Sequence, residues 1–310
     1  MAGLALAVLI GLVARAAQSP IFGVETRALV RNAWYRGAQV AYGLVLAILV
    51  GVFVDGTTKA SAELYDLLTW VQLAVVTFGA AVVVSGALAN EIELKTVDLL
   101  LLTDLSAAEI VLGKIVPRML WLLGLLAVGL PVFLFAAYTG GIDPERMLRA
   151  LAISVVTLTI ASALSLFASL GVKTYREALV ISGSMYFAIY GALPGCLTLI
   201  GIVFGYFRLS STWINAAYLF FLAAHPGVVM VSDNEGRWLG GLNGWDMVVV
   251  MAGWNALLAW WTVRVVIGAI ETSREGKPSE QQREAAPAGD EAYGVSSLHL
   301  VQHWARCSFC

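Results

Sequence analysis

Three groups of residues in this 310-residue chain have side chains that could carry chemistry. The first is a stretch rich in Glu, Thr, Ser and Lys at residues 90–114, which is polar enough to contact another protein outside a membrane. The second is Ser184 with His225, since a serine nucleophile needs a base within hydrogen-bond reach. The third group consists of imidazoles and thiols, which suit zinc or copper: His299, His303, Cys307 and Cys310.

The His and Cys residues near the end of the chain have two interpretations. On one helix, His299, His303 and Cys307 align at i, i+4 and i+8, which predicts a metal site. The alternative is a frayed segment whose apolar residues touch the membrane surface. Residues 271–294, which precede it, have the Glu, Lys, Pro, Gln and Ala content of a solvated tail. The tail is the simpler interpretation, and metal binding stays an alternative.

The serine and histidine pair also has a structural interpretation. Ser184 follows Gly183, and small residues at contacts between membrane helices are commoner than catalytic ones, so close helix packing is favoured over an intramembrane hydrolase. No acidic residue lies deep in an apolar run, which disfavours an ion-coupled carrier. Hydroxyl side chains that predict hydrogen bonds between helices are Ser154, Thr157, Ser162, Ser165 and Ser169.

The composition decides which elements must position these residues. Hydrophobic residues make up 59% of the chain and charged residues 13%, about half of the ~25% typical of soluble domains. The excess apolar surface must face lipid. Three cysteines do not make a disulfide framework, and a formal net charge of −2 argues against a nucleic-acid binder. We therefore expect an all-α, polytopic membrane protein.

Six apolar runs are long enough to cross the ~30 Å hydrocarbon core as helices. Residues 2–14 form a shorter apolar stretch, for which we expect an interfacial or partly inserted segment. Residues 213–231 are long enough to span but contain Asn215 and the pair His225-Pro226, so they predict a re-entrant segment before the last span. The six runs are 38–54, 67–89, 119–137, 150–172, 178–205 and 247–270.

Most of the 19 lysines and arginines fall on one side of the membrane when these six runs span. The positive-inside rule therefore places both termini in the cytoplasm. Residues 20–37, with Arg27, Arg31 and Trp34 at helical spacing, predict an amphipathic helix on the inner surface. The expected organisation is an N-terminal segment at 1–37, a membrane domain at 38–270 and a cytoplasmic tail at 271–310. Short loops are expected at 55–66, 139–145 and 173–177.

Residues 90–114 form the inner loop between the second and third runs. Four consecutive leucines give this polar stretch an apolar surface to bury. Ser106 and Glu109 have the spacing of a capping box, which predicts that a helix begins there. From the residues alone, a connecting loop with a surface helix and a docking element for a partner are both consistent with this pattern.

The same stretch resembles the cytoplasmic loop of type-2 ABC exporter permeases. That family carries Glu-x-x-x-Gly-Thr, two residues, Leu-Leu, then Thr/Ser-Pro-Leu-Ser, two residues and Glu-Ile-x-x-Gly-Lys. Lys95 stands here where the family favours Gly, and Asp104 where it favours Pro. The likeness in layout covers residues 20–270. The residues matching in order and spacing are Glu91, Thr96, Leu99, Leu100, Thr103, Leu105, Ser106, Glu109, Ile110, Gly113 and Lys114.

The resemblance implies a transporter subunit in the bacterial cytoplasmic membrane. In the family this loop forms a coupling helix that docks on a separate ATPase subunit, so the matching residues and Glu93 are the expected contact. The sequence has no G-x-x-x-x-G-K-[ST] phosphate loop, which places ATP and Mg²⁺ in that partner and leaves this chain without catalysis or a cofactor of its own. A second permease, identical or different, is the other expected partner.

The fifth run is expected to shape the transport pathway, because its small residues allow close helix approach and Pro194 provides a break. The candidate pathway residues are Ser184, Tyr186, Tyr190 and Pro194. Two alternatives stay open: a membrane scaffold that does not transport, and the intramembrane hydrolase.

Overall fold

A computed structural model describes residues 19–53, 58–94, 96, 105–192, 195, 196, 199, 223–235 and 243–275. Every regular element in these ranges is a helix, which confirms the all-α prediction. The helices are α1 (Pro20–Arg31), α2 (Ala33–Phe53), α3 (Thr58–Glu93), α4 (Ala107–Gly140), α5 (Pro144–Ala168), α6 (Tyr175–Phe187) with a π-helical continuation (Ala188–Ala192), α7 (Pro226–Glu235) and α8 (Gly244–Glu275).

Five of the described helices are long and apolar enough to cross a membrane, and they fit a multi-pass membrane protein. Of the predicted fifth run at 178–205, the structure describes α6, the π-helical turn and three residues beyond it, so the six-span count stays a prediction. Residues 2–14 and most of 213–231 lie outside the described ranges. The five segments are Ala33–Val52, Lys59–Glu93, Ala107–Gly140, Pro144–Ala168 and Gly244–Ser273.

The predicted loops are shorter than expected because the long helices run past the apolar runs. In the 55–66 loop, helix α3 already begins at Thr58 and places Leu64 and Tyr65 in the core. In the 139–145 loop, α4 ends at Gly140 and α5 starts at Pro144. Polar residues at the ends of a membrane helix do not stop it, since its backbone bonds stay satisfied inside the helix.

The 90–114 stretch is likewise more helical than a connecting loop. Helix α3 continues to Glu93, and α4 starts at Ala107 and runs unbroken to Gly140. The helix predicted to begin at Ser106 is not a separate surface element, since it forms the first turns of the 34-residue α4. The 173–177 loop also shortens, because Thr174 caps α6 by accepting a hydrogen bond from the Glu177 amide.

The single amphipathic helix predicted at 20–37 is two helices. Asn32 has extended backbone angles, φ −71° and ψ 120°, and ends α1. Its side-chain Oδ1 accepts a hydrogen bond of 2.9 Å from the Trp34 amide, so the same residue caps the start of α2. Arg27 and Arg31 thus lie on α1, whereas Trp34 opens the next helix, because an Asn side chain competes well for free amides at a helix start.

The core is built around α3, α4 and α5, with α8 packed on α5 and α2 packed at the edge against α4. Helix α5 is the most enclosed of the five long helices. Helix α1 lies across the start of α4, where Ile21 lies against Gly113 and Glu25 against Lys114. This arrangement gathers the end of α3, the start of α4 and α1 at one end of the helix bundle, which we call the α4-start end.

Candidate coupling site and polar contacts

Four charged side chains from α1, α3 and α4 meet at the α4-start end and form what we call the ion cluster. Lys114 Nζ lies 3.1 Å from Glu25 Oε1 and 2.9 Å from Glu91 Oε1. Arg118 Nη2 lies 3.3 Å from Glu25 Oε2. The Lys114 side chain is only 4% exposed. Its charge is therefore compensated inside the protein and binds three helices together.

Gly113 allows the close approach of α1 that makes the cluster possible. A Cβ atom at this position would lie 3.0 Å from Ile21 Cβ and 3.1 Å from Ser19 Oγ. Those distances leave no room for a larger residue unless the start of α1 moves. The Gly113-Lys114 pair of the sequence motif thus has a local structural reason: the glycine admits α1, and the lysine pairs with it.

The start of α4 is closed by the predicted capping box, which is confirmed. Ser106 Oγ accepts a hydrogen bond of 3.2 Å from the Glu109 amide, and Glu109 Oε2 accepts one of 2.8 Å from the Ser106 amide. Leu105 precedes the box and is half-buried, while Ser106 is exposed. The start of α4 is therefore exposed and held in a fixed geometry.

The end of α3 is held by hydrogen bonds to Thr96 and to the start of α6. Thr96 donates a hydrogen bond to the Glu91 carboxylate, and its amide bonds the Glu91 carbonyl at 2.9 Å. Glu93 Oε2 accepts a bond of 3.0 Å from the Tyr175 amide, which links α3 to the start of α6. Leu94 is 71% exposed beside these contacts.

The candidate contact residues thus divide into two sets. Lys114, Glu91 and Gly113 organise the interior of the α4-start end. The capping-box residues, together with Glu93, lie at its surface. Leu99, Leu100 and Thr103 fall outside the described residues, so their place at this surface stays a prediction.

Two members of the ion cluster, Glu25 and Arg118, are not among the predicted site residues. Glu25 falls within the amphipathic helix predicted at 20–37, and Arg118 is one of the basic residues expected on the inner side. A signal for Glu25 exists: it stands four residues before Leu29, on the face that α1 buries. A carboxylate on a buried face needs a cationic partner, but only the folded chain identifies that partner as Lys114 and Arg118.

The candidate pathway residues on α6 have different surroundings. Tyr186 is buried and bonds to the Ala161 carbonyl and to Ser165 on α5. Ser184 is exposed, and its hydroxyl donates to the Ile181 carbonyl at 2.8 Å. Tyr190 lies in the π-helical turn, and Pro194 falls outside the described residues. Of the described pathway candidates, Tyr186 is thus used in packing against α5.

The structure does not pair Ser184 with His225 by a hydrogen bond. His225 Nδ1 accepts a hydrogen bond of 3.1 Å from the Val228 amide, and its Nε2 bonds the Tyr190 carbonyl. Accepting at Nδ1 and donating at Nε2 fixes one neutral tautomer of the ring. His225 therefore caps the start of α7 and joins it to the π-helical turn of α6.

Asn255 on α8 completes this connection. Its Nδ2 donates to the Ala224 carbonyl at 3.1 Å, and its Oδ1 accepts from the Tyr190 hydroxyl at 2.5 Å. The backbone break before Pro226 is thus covered by side chains of α6 and α8. The Ala224 carbonyl in this break thereby has a hydrogen-bond partner.

Two of the five predicted interhelical hydroxyls make bonds between helices. Ser154 accepts from Gln72 Nε2 on α3 at 2.9 Å, and Ser165 bonds Ser182 on α6 at 2.9 Å. Thr157 and Ser169 bond carbonyls of their own helix, and Ser162 Oγ has no partner among the described residues.

The glycine next to Ser184 has no close helix contact within the described part of the chain, so its close-packing role stays a prediction. A Cβ atom at Gly183 or at Gly195 would have no atom of the described residues within 4 Å. Helix α6 packs on α5 and α3 through a different face. The buried residues on that face, at i, i+4 and i+8, are Ala178, Ser182 and Tyr186. A small residue indicates close approach only if it falls on the buried face.

The opposite end of the bundle has a second buried ion pair. Arg149 Nε on α5 lies 2.6 Å from Asp233 Oδ1 on α7, and the Asp233 side chain is 1% exposed. Burial raises the pKa of the Asp233 carboxyl above its usual range, and the Arg149 guanidinium opposes this rise. Nearby, Arg146 pairs with Asp66 and stacks over the Tyr65 ring, joining α5 to α3.

No group of three or more His, Cys, Asp or Glu residues suited to a metal ion occurs within the described ranges. The four candidate ligands His299, His303, Cys307 and Cys310 lie outside them, so the metal alternative stays untested.

Neither a protein-family model nor a curated protein matches this chain.

Proposed function

We propose that this chain is the membrane-spanning permease subunit of an ATP-driven exporter and couples to a separate ATPase through residues 90–114. The observation that carries the proposal is the arrangement of the α4-start end. Helix α4 begins at an exposed, capped end, carries the two cations of the buried ion cluster a few turns later, and then continues as a long apolar helix. The resemblance of residues 90–114 to the coupling loop of type-2 ABC exporter permeases gives this construction a function.

Movement of the helix start would be transmitted along α4. At 1.5 Å per residue, its 34 residues extend up to about 51 Å, well beyond the ~30 Å hydrocarbon core, and Pro117 and Pro131 inside the helix are points where it can bend. Lys114 links α4 to α1 and α3, so displacement at Ser106 would move three helices together. Closure of the ATPase upon nucleotide binding would supply the energy. The permease has two conformations, and the closed ATPase needs only to bind one of them more tightly than the other.

The proposed assembly contains two permeases and two ATPases in the bacterial cytoplasmic membrane. ATP and Mg²⁺ bind to the ATPase subunits, and this chain supplies the pathway. Helix α6 has an apolar face with Val180 and Phe187 exposed by 69% and 73%, which suits contact with a second permease or lipid. A scaffold without transport activity is the alternative, and it would not require ATPase stimulation by residues 90–114.

Glu109→Arg tests the coupling role. The change removes the carboxylate of the capping box and reverses the charge at the exposed start of α4, at a cost of about 1 kcal/mol for the cap. We expect normal membrane insertion but a loss of at least about tenfold in ATPase stimulation and co-purification, corresponding to ~1.4 kcal/mol or more. Affinity purification of the full chain with mass spectrometry, followed by ATPase assays of the complex, measures both.

Glu177→Arg is the matched control. Glu177 accepts a bond of 3.0 Å from the Lys173 amide and caps α6 at the same end of the bundle, but lies outside residues 90–114. The Glu177→Arg variant should lose a similar capping contact but still co-purify with the ATPase and stimulate it normally. Equal loss in both variants would indicate general fraying, and an unchanged ATPase in Glu109→Arg would contradict the docking role.

The proposed orientation predicts which helix ends are accessible from each side. Single cysteines at Leu94 and Thr272, in a chain with the native cysteines replaced, should react only after the membrane is permeabilised. Cysteines at Lys59 and Asn243 should react with an impermeant maleimide in intact cells. All four native positions are exposed. Labelling of Leu94→Cys or Thr272→Cys from outside would contradict an inside location of the α4-start end or of the end of α8.

A further inference from the structure

A cavity of about 630 Å³ lies between α2, α3 and α4 and reaches the ion cluster at Arg118. It has the size of small-molecule sites, which span roughly 300–1,000 Å³. Helix α2 packs more extensively on α4 than on α3, which leaves the space open along one side. Val45, Phe78 and Val82 line the cavity and are 48%, 68% and 44% exposed, so the opening faces the lipid-exposed surface of the helices.

The lining is apolar along most of its length and polar at one end. Valines, leucines and alanines form the walls, whereas Asn90, Arg118 and Tyr175 lie at the α4-start end. Trp34 and Tyr35 stand at the same end, at the beginning of α2. An apolar channel that ends in aromatic and cationic groups matches the order of a phospholipid, whose acyl chain adjoins a polar headgroup at the interface.

The length of the cavity accommodates an acyl chain. At 1.5 Å per residue, the lining extends about 16 Å along α2, from Trp34 to Val45, and about 28 Å along α3, from Val71 to Asn90. The cavity is therefore at least about half as long as the ~30 Å hydrocarbon core. An acyl chain inserted from the surrounding leaflet would therefore fill the apolar part and leave its headgroup beside Trp34 and Arg118.

Arg118 supplies the polar partner. Its side chain is 10% exposed, and only one nitrogen, Nη2, bonds a carboxylate, that of Glu25. Nε and Nη1 are buried and have no hydrogen-bond partner among the described residues. Buried guanidinium N–H groups are costly when unsatisfied, and phosphate oxygens fit their geometry. The ion cluster has two carboxylates and two cations, so its net charge is zero. Arg118 would therefore bind a phosphate group through hydrogen bonds from its N–H groups, and not through a net positive charge of the cluster.

We propose that the cavity is a binding site for one phospholipid of the surrounding leaflet, with an acyl chain between α2 and α3 and its phosphate on the free N–H groups of Arg118. The site needs only the membrane location of these helices and does not depend on the transport assignment. A bound lipid would fill the gap between α2 and α3 and connect the edge helix α2 to the rest of the bundle.

Ala41→Phe tests the acyl-chain site without touching the ion cluster. Ala41 lines the cavity from α2, and a phenyl ring there would occupy the space. Ala47→Phe is the matched control, because Ala47 is exposed on the same helix and does not line the cavity. The full chain is purified in detergent, phosphatidylglycerol is added, and retained lipid is counted by native mass spectrometry. We expect one lipid on the native chain and on Ala47→Phe, and at least a tenfold loss of affinity in Ala41→Phe.

Arg118→Gln tests the phosphate contact. Charged hydrogen bonds contribute roughly 1.5–3 kcal/mol, so phosphatidylglycerol should bind about tenfold more weakly or worse. Diacylglycerol with the same chains, which lacks phosphate, should bind the native chain weakly and be unaffected by the change. Inorganic phosphate at millimolar concentration should not displace the lipid, because it cannot use the apolar walls.

Four outcomes would overturn the proposal. Equal lipid binding by Ala41→Phe and Ala47→Phe would remove the acyl-chain site. Equal binding of phosphatidylglycerol and diacylglycerol by the native chain would remove the phosphate contact. A gain of lipid upon deletion of residues 1–18 would identify that apolar segment as the native occupant. A change of oligomeric state in Ala41→Phe, with lipid retained, would identify a second copy.

Discussion

Replacement of Lys114 by Met is expected to destabilise the protein by about 3–5 kcal/mol, because it leaves Glu91 without its cationic partner at the junction of three helices. Met has a similar length and leaves no large cavity, so the loss reports the charge. The melting temperature in detergent should fall by roughly 10 °C, given ~2–4 °C per kcal/mol for chains of this size class. Differential scanning fluorimetry of the purified full chain measures the shift.

Two further variants separate the ion cluster from a general effect of losing a lysine. Lys59→Met removes a lysine that is 88% exposed and pairs with Glu63 at 3.9 Å, so it should change stability by less than about 1 kcal/mol. The double variant Lys114→Met, Glu91→Gln should recover part of the loss, since it neutralises the stranded carboxylate. Equal melting temperatures for Lys114→Met and Lys59→Met would show that the ion cluster contributes nothing to stability.

Replacement of Arg149 by Met is expected to release α7 from α5 at a cost of about 3–5 kcal/mol. The Asp233 carboxylate is almost fully enclosed and would lose the guanidinium 2.6 Å away. The effect should be local, so hydrogen exchange of the α7 amides is the sensitive measurement. Protection of α7 should fall, while protection of α5 should remain.

The pH dependence of this variant has a defined sign. Burial already raises the folded-state pKa of Asp233 with the arginine present, and removing Arg149 raises it further. A carboxyl group with a raised folded-state pKa favours the protonated folded form. The defect of Arg149→Met is therefore largest at neutral pH and shrinks as pH falls through that raised pKa.

Glu145→Gln serves as the control for this prediction. Glu145 also contacts Arg149, at 3.4 Å, but it is 65% exposed, so neutralising it should change α7 protection by less than about 1 kcal/mol. Unchanged protection of α7 in Arg149→Met at neutral pH would show that the pair does not hold this helix.

Composition and local spacing determined the fold class and several element boundaries. A chain that is 59% hydrophobic and 13% charged has too few charged side chains to cover a water-exposed surface. Membrane helices were therefore predictable from the amino-acid composition alone. The capping box at Ser106 and Glu109 was predictable because both partners lie within one turn of the chain. Contacts of this kind can be predicted because the two partners are close in the sequence and need no residue from elsewhere in the chain.

The tertiary structure decided which side chains meet across helices. Lys114 looked like an exposed contact residue, yet it is buried because α1 crosses α4 at Gly113 and brings Glu25 to it across 89 residues. Ser184 and Gly183 looked like a packing face, but within the described part of the chain the rotation of α6 buries Ser182 and Tyr186. A helical run that is apolar on all sides does not encode which side faces its neighbours, and only packing of the complete bundle fixes that rotation.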